Sequence, residues 1–118
     1  MTVTAKNLIP AKFAENTQTT QYIVPSNITA VIIDKFTATN TSASSETISI
    51  NLVTGSSTAS SSNLIVKAKS LSASETYIFP ELVGQILPTT AFISTIASAS
   101  SAINIRVRGR EVSLWALS

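Results

Sequence analysis

Glu46-Thr47-Ile48-Ser49-Ile50-Asn51-Leu52-Val53-Thr54 sets Ile48, Ile50 and Leu52 in one phase and Ser49 and Asn51 in the other. Successive side chains of a strand point to opposite faces, so a period of two predicts a strand with one apolar face. The pattern returns in Ala102-Ile103-Asn104-Ile105-Arg106-Val107-Arg108, with Ile103, Ile105 and Val107 inward. Over 63–69 the inner phase is Leu64, Val66 and Ala68, and the outer phase is Ile65, Lys67 and Lys69. Val31-Ile32-Ile33, within 28–40, does not alternate and predicts a strand covered on both faces.

Turn signals separate these strands. Pro25-Ser26-Asn27 ends a strand over 19–24, and Ser/Thr-rich loops occupy 40–45 and 55–62. A turn over 70–74 precedes a short strand over 75–79 that Pro80 closes, and 98–101 is a small-residue loop after a strand over 90–97. Gly84 and Pro88 limit 81–87 to one helical turn. Gly109 reads as a bulge or bend before a last strand over 111–117. Residues 1–16, with Pro10 in the middle and Lys6, Lys12 and Glu15 scattered, form no clear element. They read as an N-terminal arm that packs on its own domain or reaches a neighbouring subunit. The expected fold is all-β: a single β-sandwich or jelly-roll-like domain of about eight short antiparallel strands over 17–118, with the arm 1–16 before it.

Composition narrows the function. A chain of 118 residues buries about two-thirds of its unfolded surface, enough for one core without staples. There is no Cys and no His. That removes disulfides, thiolate metal sites, the commonest nucleophile and the commonest general base. No Ser lies in a Gly-x-Ser-x-Gly turn, and no spacing among the six carboxylates singles out a catalytic pair. Asp34, after Val31-Ile32-Ile33, is the one carboxylate expected to be partly buried, paired with Lys35 or an arginine. Asn51, Asn63 and Asp34 are oxygen ligands without the acidic series that calcium needs. No cofactor is expected, and an enzyme is disfavoured. The uncharged run 82–105 contains Pro, Ser, Thr, Gln and Asn, so it reads as strands and loops and not as a membrane span. The first residues lack the pattern of a secretory signal.

Two features point to partners. Arg106, Arg108 and Arg110 sit at i, i+2 and i+4, which on a strand places them on one face about 6.5–7 Å apart, unless Gly109 twists the third away. They either pair with carboxylates such as Glu46, Glu75 or Glu111, or grip an acidic partner surface. No aromatics interleave with them, and the net charge is only +2, so nucleic acid is not the expected partner. The second feature is the uncharged run 47–66. A long β-rich stretch without Lys or Glu lacks the usual protection against edge pairing, which predicts a component whose edges neighbours cover, most simply in a symmetric oligomer. Trp115 reads as core or interface packing.

The segments Tyr22-Ile23-Val24-Pro25-Ser26-Asn27-Ile28-Thr29-Ala30, Ala38-Thr39-Asn40-Thr41-Ser42, Thr47–Val53, Ser74-Glu75-Thr76-Tyr77, Pro80-Glu81-Leu82-Val83, Ala97–Ala102 and Ile105–Val112 come in an order that resembles small β-sandwich virion proteins of tailed bacteriophages, among them capsid decoration (cement) proteins and tail or neck components. Ser74 stands where such turns commonly carry glycine. The resemblance covers roughly 17–113 and carries strand and turn punctuation, not chemistry. It implies a non-enzymatic homotrimer on the outer capsid surface of the virion that binds the major capsid protein, with no nucleic acid and no membrane. The implied contact residues are Leu8, Ile9 and Phe13 of the arm and Arg106, Arg108 and Arg110. The other readings are a tail, neck or baseplate component and a carbohydrate- or receptor-binding module, which would need clustered exposed aromatics.

Overall fold

A computed structural model describes residues 2–113, so Leu114, Trp115 and Leu117 lie outside the described residues. Nine strands pack as two antiparallel sheets: β1 (Thr2–Phe13), β2 (Thr19–Ile23), β3 (Ala30–Asn40), β4 (Glu46–Val53), β5 (Leu64–Leu71), β6 (Thr76–Ile78), β7 (Ile86–Pro88), β8 (Phe92–Ala97) and β9 (Ile103–Ser113). One sheet runs β1-β9-β3-β6, with β7 also on β3, and the other runs β2-β8-β4-β5. The protein is thus a β-sandwich. Single 3₁₀ turns stand at Ser61–Asn63 and Pro80–Leu82. The second is the single helical turn expected within 81–87, begun one residue earlier, and β7 follows it.

The core lies between the sheets. Phe36, Phe79, Ile33, Ile48, Ile50, Ile93, Ile103 and Ile105 are fully buried there. Phe79 meets Phe36 edge-on at 5.4 Å and Tyr77 edge-on at 4.9 Å, a favoured ring geometry. Ile103, Ile105 and Val107 point inward as their alternation predicts.

Residues 2–13, expected to form no clear element, are the edge strand beside β9 and so pack on their own domain, pairing from Thr2↔Ser113 to Phe13↔Asn104. Two register shifts hid this strand from the sequence. One leaves Leu8 without a partner residue, and the other falls around Pro10 and Ala11. Adjacent strand residues normally face opposite sides, yet Leu8 and Ile9 are both buried because the first bulge rotates the chain between them. Pro10 fits because an edge strand has a free side where no N–H is required.

Gly109 does not break β9, which runs unbroken from Ile103 to Ser113. The bulges sit on its neighbours, with Leu8 extra on one side and Asp34 extra on the other. A Cβ at Gly109 would fall well inside contact distance of the Ile32 carbonyl oxygen and 2.8 Å from Leu8 Cδ1. Glycine is therefore required for three strands to close around this point.

A further bulge corrects the inner phase expected for β5. Ala68 adopts φ 47° and is exposed. Its N–H donates to Ser49 Oγ at 2.8 Å. The extra residue lets Val66 and Leu71, five apart, both reach the core.

Candidate interaction surfaces

Arg106, Arg108 and Arg110 all emerge exposed on the outer face of the β1-β9-β3-β6 sheet, as their spacing predicts. Their surroundings differ. The bulge at Asp34 carries its carboxylate to Arg110, which donates from Nε at 3.1 Å to both oxygens and from a terminal nitrogen at 2.8 Å. This bond to Asp34 raises the Arg110 pKa further. Arg106 and Arg108 have no carboxylate partner among the described residues. They stand directly across from Thr37 and Lys35 of β3, and the four side chains line one shallow depression of ≈ 220 Å³. A second depression, lined by Ala5, Lys6, Asn7, Asp34, Arg108 and Gly109, adjoins it through Arg108.

The other acids are occupied differently from expectation. Glu111 pairs with no arginine: its Oε2 accepts from Lys6 Nζ at 3.1 Å and from Tyr22 Oη at 2.8 Å. Burial, then the Glu111 carboxylate, push the Tyr22 hydroxyl far above the ordinary phenol range. Glu15 accepts from Gln21 at 2.7 Å and Lys12 at 3.0 Å, and these bonds lower its pKa. Glu46 accepts from Ser98 and Ser44, and Glu75 from the Ser72 N–H.

Of the three apolar contact residues expected on an arm, Leu8 and Ile9 are buried at 4% and 1% exposure beneath their own strand. They cannot anchor a partner while β1 is paired. Phe13 remains at the surface at 42%. Trp115 lies outside the described residues.

The edge argument also changes. The uncharged run 47–66 covers most of β4, which is internal, between β8 and β5, then the 54–63 loop and turn, and only the first three residues of the edge strand β5. The actual edges carry the usual guards. β1 has Lys6, Pro10, Lys12 and two bulges; β5 has Lys67, Lys69 and the Ala68 bulge; β6 and β7 have three residues each; β2, without a charged residue, has five residues and a register shift at Gln21. What stays exposed is side-chain surface. The described residues expose seven large apolar side chains, and four of them, Ile65, Ile78, Val83 and Ile86, lie along the β5–β6–β7 side. Ile86, at 64%, and Ile65 line one groove there with Leu52, Leu87, Pro88 and Ala91.

Sequence reasoning missed two residues of consequence. Lys35 becomes the cross-strand neighbour of Arg108 only because Asp34 bulges, which no local pattern announces. Asn40, expected at the start of a loop, is fully buried. Its Nδ2 donates to the Ser44 and Leu71 carbonyls at 2.8 and 3.0 Å, and its Oδ1 accepts from the Ser42 N–H and hydroxyl at 2.9 and 2.7 Å. Asn51 and Asn63, weighed as cation ligands, instead fix the 54–62 loop: Asn51 Nδ2 donates to the Ser60 carbonyl at 2.9 Å and to Asn63 Oδ1 at 2.7 Å. Among the described residues no group of three or more His, Cys, Asp or Glu is placed to hold a metal ion, and no helix is long and apolar enough to cross a membrane.

No protein-family model matches the chain, and no curated protein matches it. Solved structures do. A chain from the Bacillus endospore appendages, described as a family of disulfide-linked pili, superposes with TM-score 0.57 at 10% identity, covering 96% of this chain and 89% of that one. A chain of the T13 viral particle of infectious bursal disease virus gives TM-score 0.59 at 8% identity, and one from the Gx strain of that virus gives 0.57 at 12%. These two cover 95% and 97% of this chain but only 31% and 33% of the viral chains. This chain therefore spans about a third of the viral proteins and nearly all of the appendage protein. At these identities what is shared is the fold, a β-sandwich that occurs in both a virus particle and a pilus.

Proposed function

We propose that this chain is a non-enzymatic structural subunit that packs into a larger assembly through the β5–β6–β7 side of its sandwich. The observation that carries the reading is the gathering of Ile65, Ile78, Val83 and Ile86 on that side, with Ile65 and Ile86 flanking one groove. Scattered exposed apolar residues need no explanation, whereas a row along one side marks a contact surface. The edges beneath are short or bulged, so side chains and not backbone ladders make the contact. The occurrence of this fold in a virus particle and a pilus supports the reading by analogy of architecture alone.

In its most specific form the proposal is a capsid decoration protein, a homotrimer on the outer surface of a tailed-phage head, bound to the major capsid protein. A pilus-type filament subunit is the second reading, favoured by the end-to-end match to the appendage chain. Lacking Cys, such a filament would be held without disulfides.

Analytical ultracentrifugation with negative-stain microscopy tests this on the full chain and on the Ile65→Glu/Ile86→Glu variant. The expected result is an oligomer at about 10 μM, since a stable contact of about 800 Å² per partner persists there, and a folded monomer for the variant. A closed trimer that binds phage heads supports decoration, and an open filament supports the second reading. A wild-type monomer with no affinity for itself or for heads overturns both.

A further inference from the structure

We infer that the outer face of β3 and β9 is a binding site for an extended acidic segment of a partner protein, built from Lys35, Arg106, Arg108 and Thr37. The inference stands apart from the assembly reading in its chemistry: it rests on a cluster of cations and not on exposed apolar side chains, although Ile78 borders the site across from Thr37. Its first support is that like charges directly opposite each other on paired strands destabilise a sheet. Lys35 and Arg108 are such a pair, and Arg106 lies two residues from Arg108. The chain has only eight cations, yet three gather here. The neighbouring acids do not neutralise them, since Asp34 is held by Arg110 and Glu111 by Lys6 and Tyr22. A repulsive cluster left uncompensated within the fold is one whose counter-charge comes from outside.

Geometry selects the ligand. Arg106 and Arg108 repeat every second residue along β9, as do Thr37 and Lys35 along β3, which sets the side chains about 6.5–7 Å apart along each strand. An extended peptide with a carboxylate at every second residue has the same repeat. Guanidinium forks bind carboxylates bidentately, and the Thr37 hydroxyl offers a further donor between them. Single-stranded nucleic acid also repeats its charge, but it needs aromatic platforms for its bases. Here Phe36 and Phe79 are buried in the core, and the four residues lining the depression include no aromatic.

The test is fluorescence anisotropy with a labelled Glu-Thr repeat peptide and the full-length protein at low salt. The expected result is saturable binding that weakens at least about tenfold, a loss of about 1.4 kcal/mol, in Arg106→Ser/Arg108→Ser. Lys67→Ser/Lys69→Ser, which removes the same charge from the other sheet, is expected to bind as the wild type does. Lys35→Ser, which leaves β9 untouched, is expected to weaken binding severalfold. Equal losses in the two double variants, absence of peptide binding by the wild type, or tighter binding of an oligothymidylate of equal charge each overturn the inference.

Discussion

Gly109→Ala tests whether the three-strand closure around β9 is what the fold depends on. The added methyl meets the Ile32 carbonyl oxygen on one side and Leu8 Cδ1, at 2.8 Å, on the other. Leu8 can shift its side chain, but the Ile32 carbonyl is backbone and cannot move without separating β3 from β9. Overpacking costs about 1–3 kcal/mol, and each ladder hydrogen bond forfeited adds about 1 kcal/mol. We therefore expect a loss of about 3–4 kcal/mol. A chain of 118 residues has an unfolding entropy near 250 cal/mol/K, so each kcal/mol moves Tm by about 4 °C and the variant should melt about 12–16 °C lower. Gly84→Ala is the internal control. Gly84 adopts φ 85° with nothing within 4 Å of an added Cβ, so only backbone strain of about 1–2 kcal/mol applies there. Thermal unfolding followed by circular dichroism decides the matter. If Gly109→Ala melts no lower than Gly84→Ala, the bulges are not clamped by that glycine.

Other expectations follow from single residues. Ser74 holds φ 65° in the turn before β6, so Ser74→Gly should relieve strain and raise stability by about 0.5–1 kcal/mol in chemical denaturation. Asn40→Leu leaves the buried Leu71 carbonyl without its side-chain donor and should cost about 2–3 kcal/mol in the same measurement. The Tyr22 hydroxyl is held above its ordinary value by burial and by Glu111. Its raised pKa favours the protonated fold, and that contribution is complete below the unfolded value of about 10 and lost as pH climbs above it. Tyr22→Phe should therefore flatten the alkaline side of the stability–pH curve. The Glu15 pKa is lowered chiefly by the Gln21 amide and then by Lys12, so its stabilisation is present above the unfolded carboxylate value and fades on acidification. NMR titration of Gln21→Ala should find Glu15 titrating higher than in the wild type.

The parts of the fold that were legible in the sequence are those where alternation runs undisturbed. β9 announced itself through Ile103, Ile105 and Val107, and the same alternation correctly put three arginines on one exposed face. The parts that were not legible are those where a bulge resets the phase. Leu8 next to Ile9 looked like no strand at all, and Ala68 was counted inward although its left-handed backbone turns it out. Edge or centre cannot be read from a strand's own residues, because it depends on which neighbours the topology supplies. That is why the uncharged run 47–66 suggested an exposed edge when its longest strand segment, on β4, in fact has a strand on each side. Lys35 and Asn40 acquired their roles from contacts across strands and loops distant in sequence, and one-dimensional spacing carries no trace of those.

The sheet order has a consequence for how the molecule comes into being. The first strand and the third have no ladder joining them until the ninth arrives between them. A ribosome must therefore deliver nearly the whole described chain before half of the molecule can close. Such a topology, dominated by pairings far apart in sequence, makes folding a late and all-or-none event, slow beside that of helical proteins of similar length. During synthesis the nascent β3 waits with one long flank bare, a hazard that chaperones or rapid completion of translation must cover.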